Sequence, residues 1–307
     1  MSKQLPSTAT QFDQFLAEEV RKVQGIWYPV KPTLLSRIFV RHAPLHKLHP
    51  NPEDEFCWPD IGPNHAIISQ YERDFVEFGP NKYLSSSSSQ VNASEPLEVQ
   101  KIRPDGYMIL NGHHRWAAAS RVGIHRLRIH IINLTLKDDI ERMLKTSRYD
   151  RRVTLDLDET VFCPFPGRSD GFEKKVSFPF LFLRRQRIRL GIPALFQFLS
   201  DQGYDIWVYT ARYLSLDSLR FLFRYYRCPV TGLVTGTARK APAGSNMSKS
   251  LETMMKKHYQ STVHIDNKTI LQTFTDSKEF REAPIDASSD TWSLAVMNAF
   301  KQLQEPS

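Results

Sequence analysis

The sequence predicts an α/β chain of two domains, a smaller α+β one followed by an open parallel sheet with helices on both faces. Three observations carry this. From residue 151 onward, apolar strand-like runs alternate with helical segments. Before residue 148, a strand–turn–strand–helix–strand–helix order is complete in itself. A low-complexity polar loop, SSSSSQVNASE at 85–95, interrupts the first half. The boundary is expected near 147–151, giving domains 1–148 (with a Ser-rich loop at 81–95) and 149–307.

Composition narrows the class. The 307 residues are 41% hydrophobic and 24% charged, an ordinary globular balance. Lys and Arg outnumber Asp and Glu by 41 to 33, a formal +8 that favours an anionic partner or substrate. The three cysteines, Cys57, Cys163 and Cys228, lie far apart with no metal-ligand spacing, which argues against a disulfide scaffold or structural zinc. The N-terminus is polar, and the most apolar run, at 176–183, is short and broken by Pro179. A cytoplasmic protein without membrane association is therefore expected.

Along the first half, residues 1–24 place Phe12, Phe15, Leu16, Val20 and Val23 roughly on one helical face. Residues 25–80 are rich in Pro, His and aromatics. PLEVQKI at 96–102 and YMIL at 107–110 read as strands joined by the turn RPDG; HHRWAAASRVG reads as a helix closed by Gly123; LRIHIINL is a strand and DDIERMLKTSR a helix. In the second half, RRVTLDL, YDIWVYTA, TGLVTG and TVHIDN are the expected strands. IPALFQFLSDQG, LDSLRFLFRYY, KSLETMMKKHY and TWSLAVMNAFKQL are the helices.

The strand RRVTLDLDETVF carries the chemistry. Asp156 and Asp158 stand two apart at its C-terminal end, so a regular strand projects both to one face. Two close carboxylates suit a divalent cation with oxygen ligands, and α/β sheets bind ligands beyond their strand C-termini. Thr210 ends the strand IWVYT, Lys249 starts a helix after a Gly/Ser/Asn loop, and Asp266 ends VHID.

This ordered set, spread over 151 to about 285, resembles the haloacid dehalogenase (HAD) superfamily of aspartyl-phosphate phosphohydrolases. The resemblance implies a Rossmann-like parallel sheet and a Mg²⁺-dependent phosphoric monoester hydrolase. It makes Asp156 the nucleophile and Asp158 the general acid/base. Thr210 would hold the phosphoryl oxygens, and Lys249 would offset charge on the nucleophile and phosphoryl group; Lys240 is the alternative lysine. Asp156, Asp158 (through its backbone carbonyl) and Asp266 would hold Mg²⁺. Asn267 stands where many members carry a second Asp.

Residues 164–190, between the first two motifs, suffice for a hairpin flap instead of a large cap. Arg168, Lys174, Lys175, Arg184, Arg185, Arg187 and Arg189 face only Asp170 and Glu173 there, a net +5 of the chain's +8. The segment is either a solvated basic hairpin or a phosphate-steering overhang. Cys163 reads as a small apolar filler.

In the N-terminal half, Gly112, His113, His114 and Arg115 open a helix directly after a strand. Free backbone N–H groups, two imidazoles and a guanidinium there suit an anion; alternatively the histidines cap and pack while Arg115 pairs with an acid. The block, with APLHKLHPNPED upstream, resembles the ParB/sulfiredoxin fold over about 36–135. That resemblance implies a nucleotide- or phosphate-binding domain taking ATP, ADP or CTP. His113 stands where sulfiredoxins carry Cys, and His-His-Arg is nearer to the fold's small-molecule kinases than to the Glu-Arg-Arg of ParB. Glu53, Asp54 and Glu55 are candidate acids.

Three functions are thus expected in order. The first is a phosphohydrolase with an N-terminal phosphate-binding domain, acting on a phosphorylated small molecule, nucleotide or nucleic-acid end. The second is a small-molecule kinase or nucleotide hydrolase with an accessory phosphatase domain. The third is a nucleic-acid-binding regulator with a vestigial phosphatase fold. Oligomeric state is not legible.

Overall fold

The computed structural model describes residues 9–79, 95–162, 171–176, 187–237, 247–286 and 291–304. The Ser-rich loop and most of the flap lie outside them. The chain forms two compact units, each a mixed α/β arrangement around its own six-stranded sheet. The break falls between Asn133 and Leu134, before the expected boundary at 148/149. No helix among the described residues is long and apolar enough to cross a membrane.

The first unit contains α1 (Ala9–Val23), β1 (Tyr28–Pro29), α2 (Leu34–Ile38), β2 (Arg41–Pro44), β3 (Leu48–His49), α3 (His65–Phe78), β4 (Leu97–Arg103), β5 (Tyr107–Asn111), α4 (His113–Arg121) and β6 (Arg126–Ile131). Its sheet runs β2-β6-β4-β5-β3, with β1 paired to β4. The β4–β5 hairpin turns at Pro104–Gly106 as expected, because Gly106 adopts φ 95° and a Cβ there would lie 2.4 Å from the Lys47 carbonyl oxygen. Phe12 and Leu16 from α1, Ile68 and Phe75 from α3, and Trp116 with three alanines from α4 bury against Val99, Ile109, Leu127 and Ile129. Helix α3 lies in the Pro/His-rich stretch, where Ile68, Tyr71, Phe75 and Phe78 recur at helical spacing. Its start is set by Asn64, whose side chain accepts from the N–H groups of Ala66 and Ile67.

The second unit contains α5 (Lys137–Lys145), β7 (Arg151–Asp156), α6 (Ile192–Asp201), β8 (Asp205–Thr210), α7 (Leu216–Tyr225), β9 (Gly232–Thr235), α8 (Met247–His258), β10 (Ser261–Ile265), β11 (Thr269–Phe274), β12 (Phe280–Pro284) and α9 (Trp292–Gln304). Strand order is β12-β11-β10-β7-β8-β9. The four strands β10, β7, β8 and β9 are parallel as expected, but β11 and β12 extend the sheet antiparallel. The expectation of a purely parallel sheet is corrected here. The hairpin was illegible because β12, FREAP, is mostly exposed and has no apolar alternation to mark it.

Alternation along the strands explains the two layers. Val153, Leu155, Ile206, Val208, Val263 and Ile265 face α6, α7 and α9 in the larger core. Trp207 and Val234 point the other way, against Ile140 and Met143 of α5 and Met255 and Tyr259 at the end of α8. That packing assigns α5 to the second unit and moves the boundary upstream. The link from α5 into β7 is tied by Asp205, a buried carboxylate that accepts from Ser147 Oγ, Thr231 Oγ1 at 3.0 Å and the Tyr259 hydroxyl at 3.2 Å.

Trp207 lies across Gly232 in the neighbouring strand, where an added Cβ would come within 2.1 Å of the indole. Gly232→Ala must displace a fully buried ring and is expected to destabilise by about 1–3 kcal/mol, as measured by urea unfolding. Unchanged stability would mean that the indole is free to shift.

Candidate functional site

The second unit gathers polar groups at the C-terminal ends of its parallel strands. Asp156 ends β7 and caps the π-helical turn Leu157–Val161. Its Oδ1 accepts from the N–H groups of Asp158 at 2.7 Å and Glu159 at 2.8 Å. Buried Thr160 closes the turn from inside, its hydroxyl donating to the Asp156 carbonyl. The Asp-x-Asp-x-Thr pattern is therefore a local structural unit as well as a chemical one.

Asp158 turns toward β8. Its Oδ2 accepts from Thr210 Oγ1 at 2.6 Å and its Oδ1 from Arg212 Nη1 at 2.8 Å, while the Arg212 N–H donates to Thr210 Oγ1 at 3.1 Å. Register brings Asp266 alongside. Leu155 pairs with Val208 on one side and with Ile265 on the other, so Asp156 and Asp266 leave adjoining strands at the same level. Asp266 is exposed, and its Oδ1 accepts from the Asn267 N–H at 2.6 Å.

Among the described residues no three His, Cys, Asp or Glu side chains gather into a metal cage. The expected metal set calls on the Asp158 backbone carbonyl and not on its carboxylate, which accepts from Thr210 and Arg212. The donor chemistry still fits a hard cation. The carboxylates of Asp156 and Asp266, at neighbouring strand ends, would supply oxygen ligands, and Mg²⁺ ordinarily completes its shell with water.

Lys249 lies in the first turn of α8, and its side chain, like Lys240, Cys163, Arg168, Arg184 and Arg185, lies outside the described residues. The base of the flap is described. Phe172 bridges antiparallel to Arg189, Glu173 N–H donates to the Ile188 carbonyl, and Arg187 stacks over the Phe172 ring at 4.2 Å. Arg189 departs from the expectation of a solvated or overhanging cation. It is 4% exposed and turned inward, with Nη2 donating to Asn267 Oδ1 at 3.2 Å. Sequence reasoning passed over Arg212 altogether. Its position two residues after Thr210, where a turn returns it to the strand end, was the available signal.

In the first unit, Gly112 is left-handed (φ 99°), and a Cβ there would meet Leu97 at 2.4 Å and Arg115 Nη2 at 2.9 Å. Arg115 is buried, with Nη1 donating to the Glu95 carbonyl at 2.6 Å and reaching its carboxylate at 3.2 Å. His113 Nε2 accepts from the Asn51 N–H, and His114 Nε2 from the Asn64 N–H, both at 3.2 Å. Phe56 stacks on His113 and meets His114 edge-on. Of the three candidate acids, Asp54 is the one beside them, 3.6 Å from His113 Nδ1.

Burial pushes the His113 pKa down to about 4, against the opposing pull of Asp54. Burial also lowers that of His114. The two rings are thus neutral near pH 7 and pin the loop from 51 to 64, so they bring no positive charge to an anion. Their Nε2 contacts are those of the packing alternative, and Arg115 pairs with an acid, as in that alternative.

No family model matches the chain, and no curated protein matches it. Among solved structures, the chain is similar to the C-terminally truncated chromosome-partitioning protein ParB from Caulobacter crescentus, complexed to the centromeric parS site. The two are 22% identical over 36% of this chain and 51% of that one, with a TM-score of 0.22. The chain spans about half the length of that protein.

The neutral histidines make stability pH-dependent. The unfolded chain takes protons on both rings near pH 6.5, whereas folded His113 resists until about pH 4. Stability present above pH 6.5 is therefore expected to fall by on the order of 1–3 kcal/mol between pH 6.5 and 4. His113→Gln should flatten that slope in urea unfolding across this range; an unchanged slope would remove His113 as its source.

Proposed function

We propose that the second unit is a Mg²⁺-dependent phosphohydrolase of the HAD type, working through an aspartyl-phosphate. The observation that carries this is the shared register of β8, β7 and β10, which delivers Thr210, Asp156 and Asp266 to one end of the sheet.

In the reaction, Asp156 Oδ2 attacks phosphorus while Oδ1 stays held by two backbone N–H groups, and the bond from phosphorus to the leaving oxygen breaks. Asp158, protonated, delivers its proton to that oxygen. It then takes a proton from the water that attacks phosphorus, breaking the aspartyl–phosphate bond and releasing inorganic phosphate. A Mg²⁺ held by Asp156, Asp266 and the Asp158 carbonyl would offset the repulsion between carboxylate and phosphoryl group. Thr210 Oγ1 donates to phosphoryl oxygens once it leaves Asp158. Lys249, from the first turn of α8, offsets charge at the nucleophile. Arg212, 60% exposed and paired with the acid, meets the anionic substrate.

The shortness and net positive charge of the 164–190 segment in the sequence suit a bulky phosphorylated substrate, such as a nucleotide or nucleic-acid end, as much as a small molecule. The readings that place the chemistry in the first unit draw less support, because Nε2 of His113 and Nε2 of His114 each accept from a backbone N–H.

The test is Mg²⁺-dependent phosphate release from a panel of phosphoesters, nucleotides and phosphorylated oligonucleotides. Asp156→Asn is expected to lower kcat by on the order of a thousandfold or more, with chelation of Mg²⁺ abolishing release. Turnover retained by Asp156→Asn, or lost only in His114→Ala, would overturn the mechanism. Arg212→Ala should raise KM by about tenfold and change kcat less, if its role is to meet substrate rather than to hold Asp158. A fall confined to kcat would reverse that assignment.

A further inference from the structure

Arg189 is the least accountable cation in the second unit. It stands where the flap returns to the sheet and is 4% exposed. A buried guanidinium is costly unless an anion meets it. Among the described residues no carboxylate forms an ion pair with Arg189, and its Nε and Nη1 have no hydrogen-bond partner. Its charge lies instead over the Trp292 ring, 4.3 Å from the centroid.

What the guanidinium does touch is specific. Nη2 reaches the Glu159 carbonyl at 3.4 Å, in the turn that follows Asp156 and Asp158. The same nitrogen donates to Asn267 Oδ1 at 3.2 Å, in the turn that follows Asp266. The Arg189 backbone N–H donates to the Val161 carbonyl, and Trp292 Nε1 donates to the Asn267 carbonyl at 3.0 Å. One buried residue of the flap base therefore bridges the two turns whose carboxylates make the candidate site. Asn267 is neutral, so it takes the bond without cancelling the charge. A residue present only for packing would need neither the charge nor the two acceptors.

We propose that Arg189 is a positioning residue: it braces the turn after β7 against the turn after β10, holding Asp156 and Asp266 in register and coupling them to docking of the flap base. The proposal rests on the phosphohydrolase reading for its consequence in catalysis, but the brace itself is a property of the fold.

The test uses the full chain. Arg189→Lys keeps the charge but has no planar fork, and thermal unfolding checks that it folds. Hydrogen exchange should then quicken by about tenfold at both 157–161 and 266–269. Mg²⁺ alone, titrated by calorimetry without substrate, should bind about tenfold more weakly. With phosphoester, kcat should fall while KM changes less than about threefold. Asn267→Ala removes one acceptor and leaves Arg189 in place; it should quicken exchange in the opposite turn, 157–161, and so serves if the lysine variant unfolds. Wild-type exchange in both turns of a folded Arg189→Lys, or in 157–161 of Asn267→Ala, would overturn the proposal. If the wild type neither binds Mg²⁺ nor releases phosphate, the phosphohydrolase reading fails, and the exchange measurements still decide the brace.

Discussion

The second unit depends on parallel hydrogen bonding of β7 on both sides. Leu155 lies opposite Val208 of β8 and Ile265 of β10, so three strands end at one level. Because side chains alternate, that level determines both which residues enter the core and which polar groups leave it. A slip of one residue at β10 would turn Val263 and Ile265 out of the core and lift Asp266 away from Asp156. Core packing and the candidate site are therefore set by the same register.

The two units handle buried polar groups differently. In the first, a pair of neutral imidazoles accepts backbone N–H groups at both ends of the 51–64 loop, and Phe56 of that loop packs on their rings. In the second, Asp205 is satisfied by hydroxyl and backbone donors, which makes it a tie between elements rather than a reactive group. Arg189 is satisfied only in part, and it contacts the two turns that follow the strand-end carboxylates. Incomplete pairing separates that residue from the structural polar clusters, since a fully paired buried group has little left to do.

Much of the fold was legible because strong periodicity survives burial. The strands β4 to β10, and the helices α4 to α9, stand close to where alternation and punctuation place them. The hairpin β11–β12 was not, since an exposed edge places little demand on sequence. The compact units divide upstream of the expected boundary because α5, though continuous in sequence with the first half, has its apolar residues matched to Trp207, Val234, Met255 and Tyr259. Asp156, Asp158, Thr210 and Asp266 were legible as candidates from strand-end placement. Arg212 and the inward turn of Arg189 were not, because spacing conveys neither a partner across a strand end nor burial.

By itself the sequence determined the two-unit α/β organisation, the carboxylates at strand ends and the excess of positive charge, most of it between residues 164 and 190. The tertiary structure decided how those charges are used. It drew Arg189 out of solvent and onto two turns, paired Arg212 and Thr210 with Asp158, and gave His113 and His114 to packing. The physical reason is that local pattern reports which face a residue occupies, whereas the cost of burying a charge or a ring nitrogen depends on partners brought from distant parts of the chain.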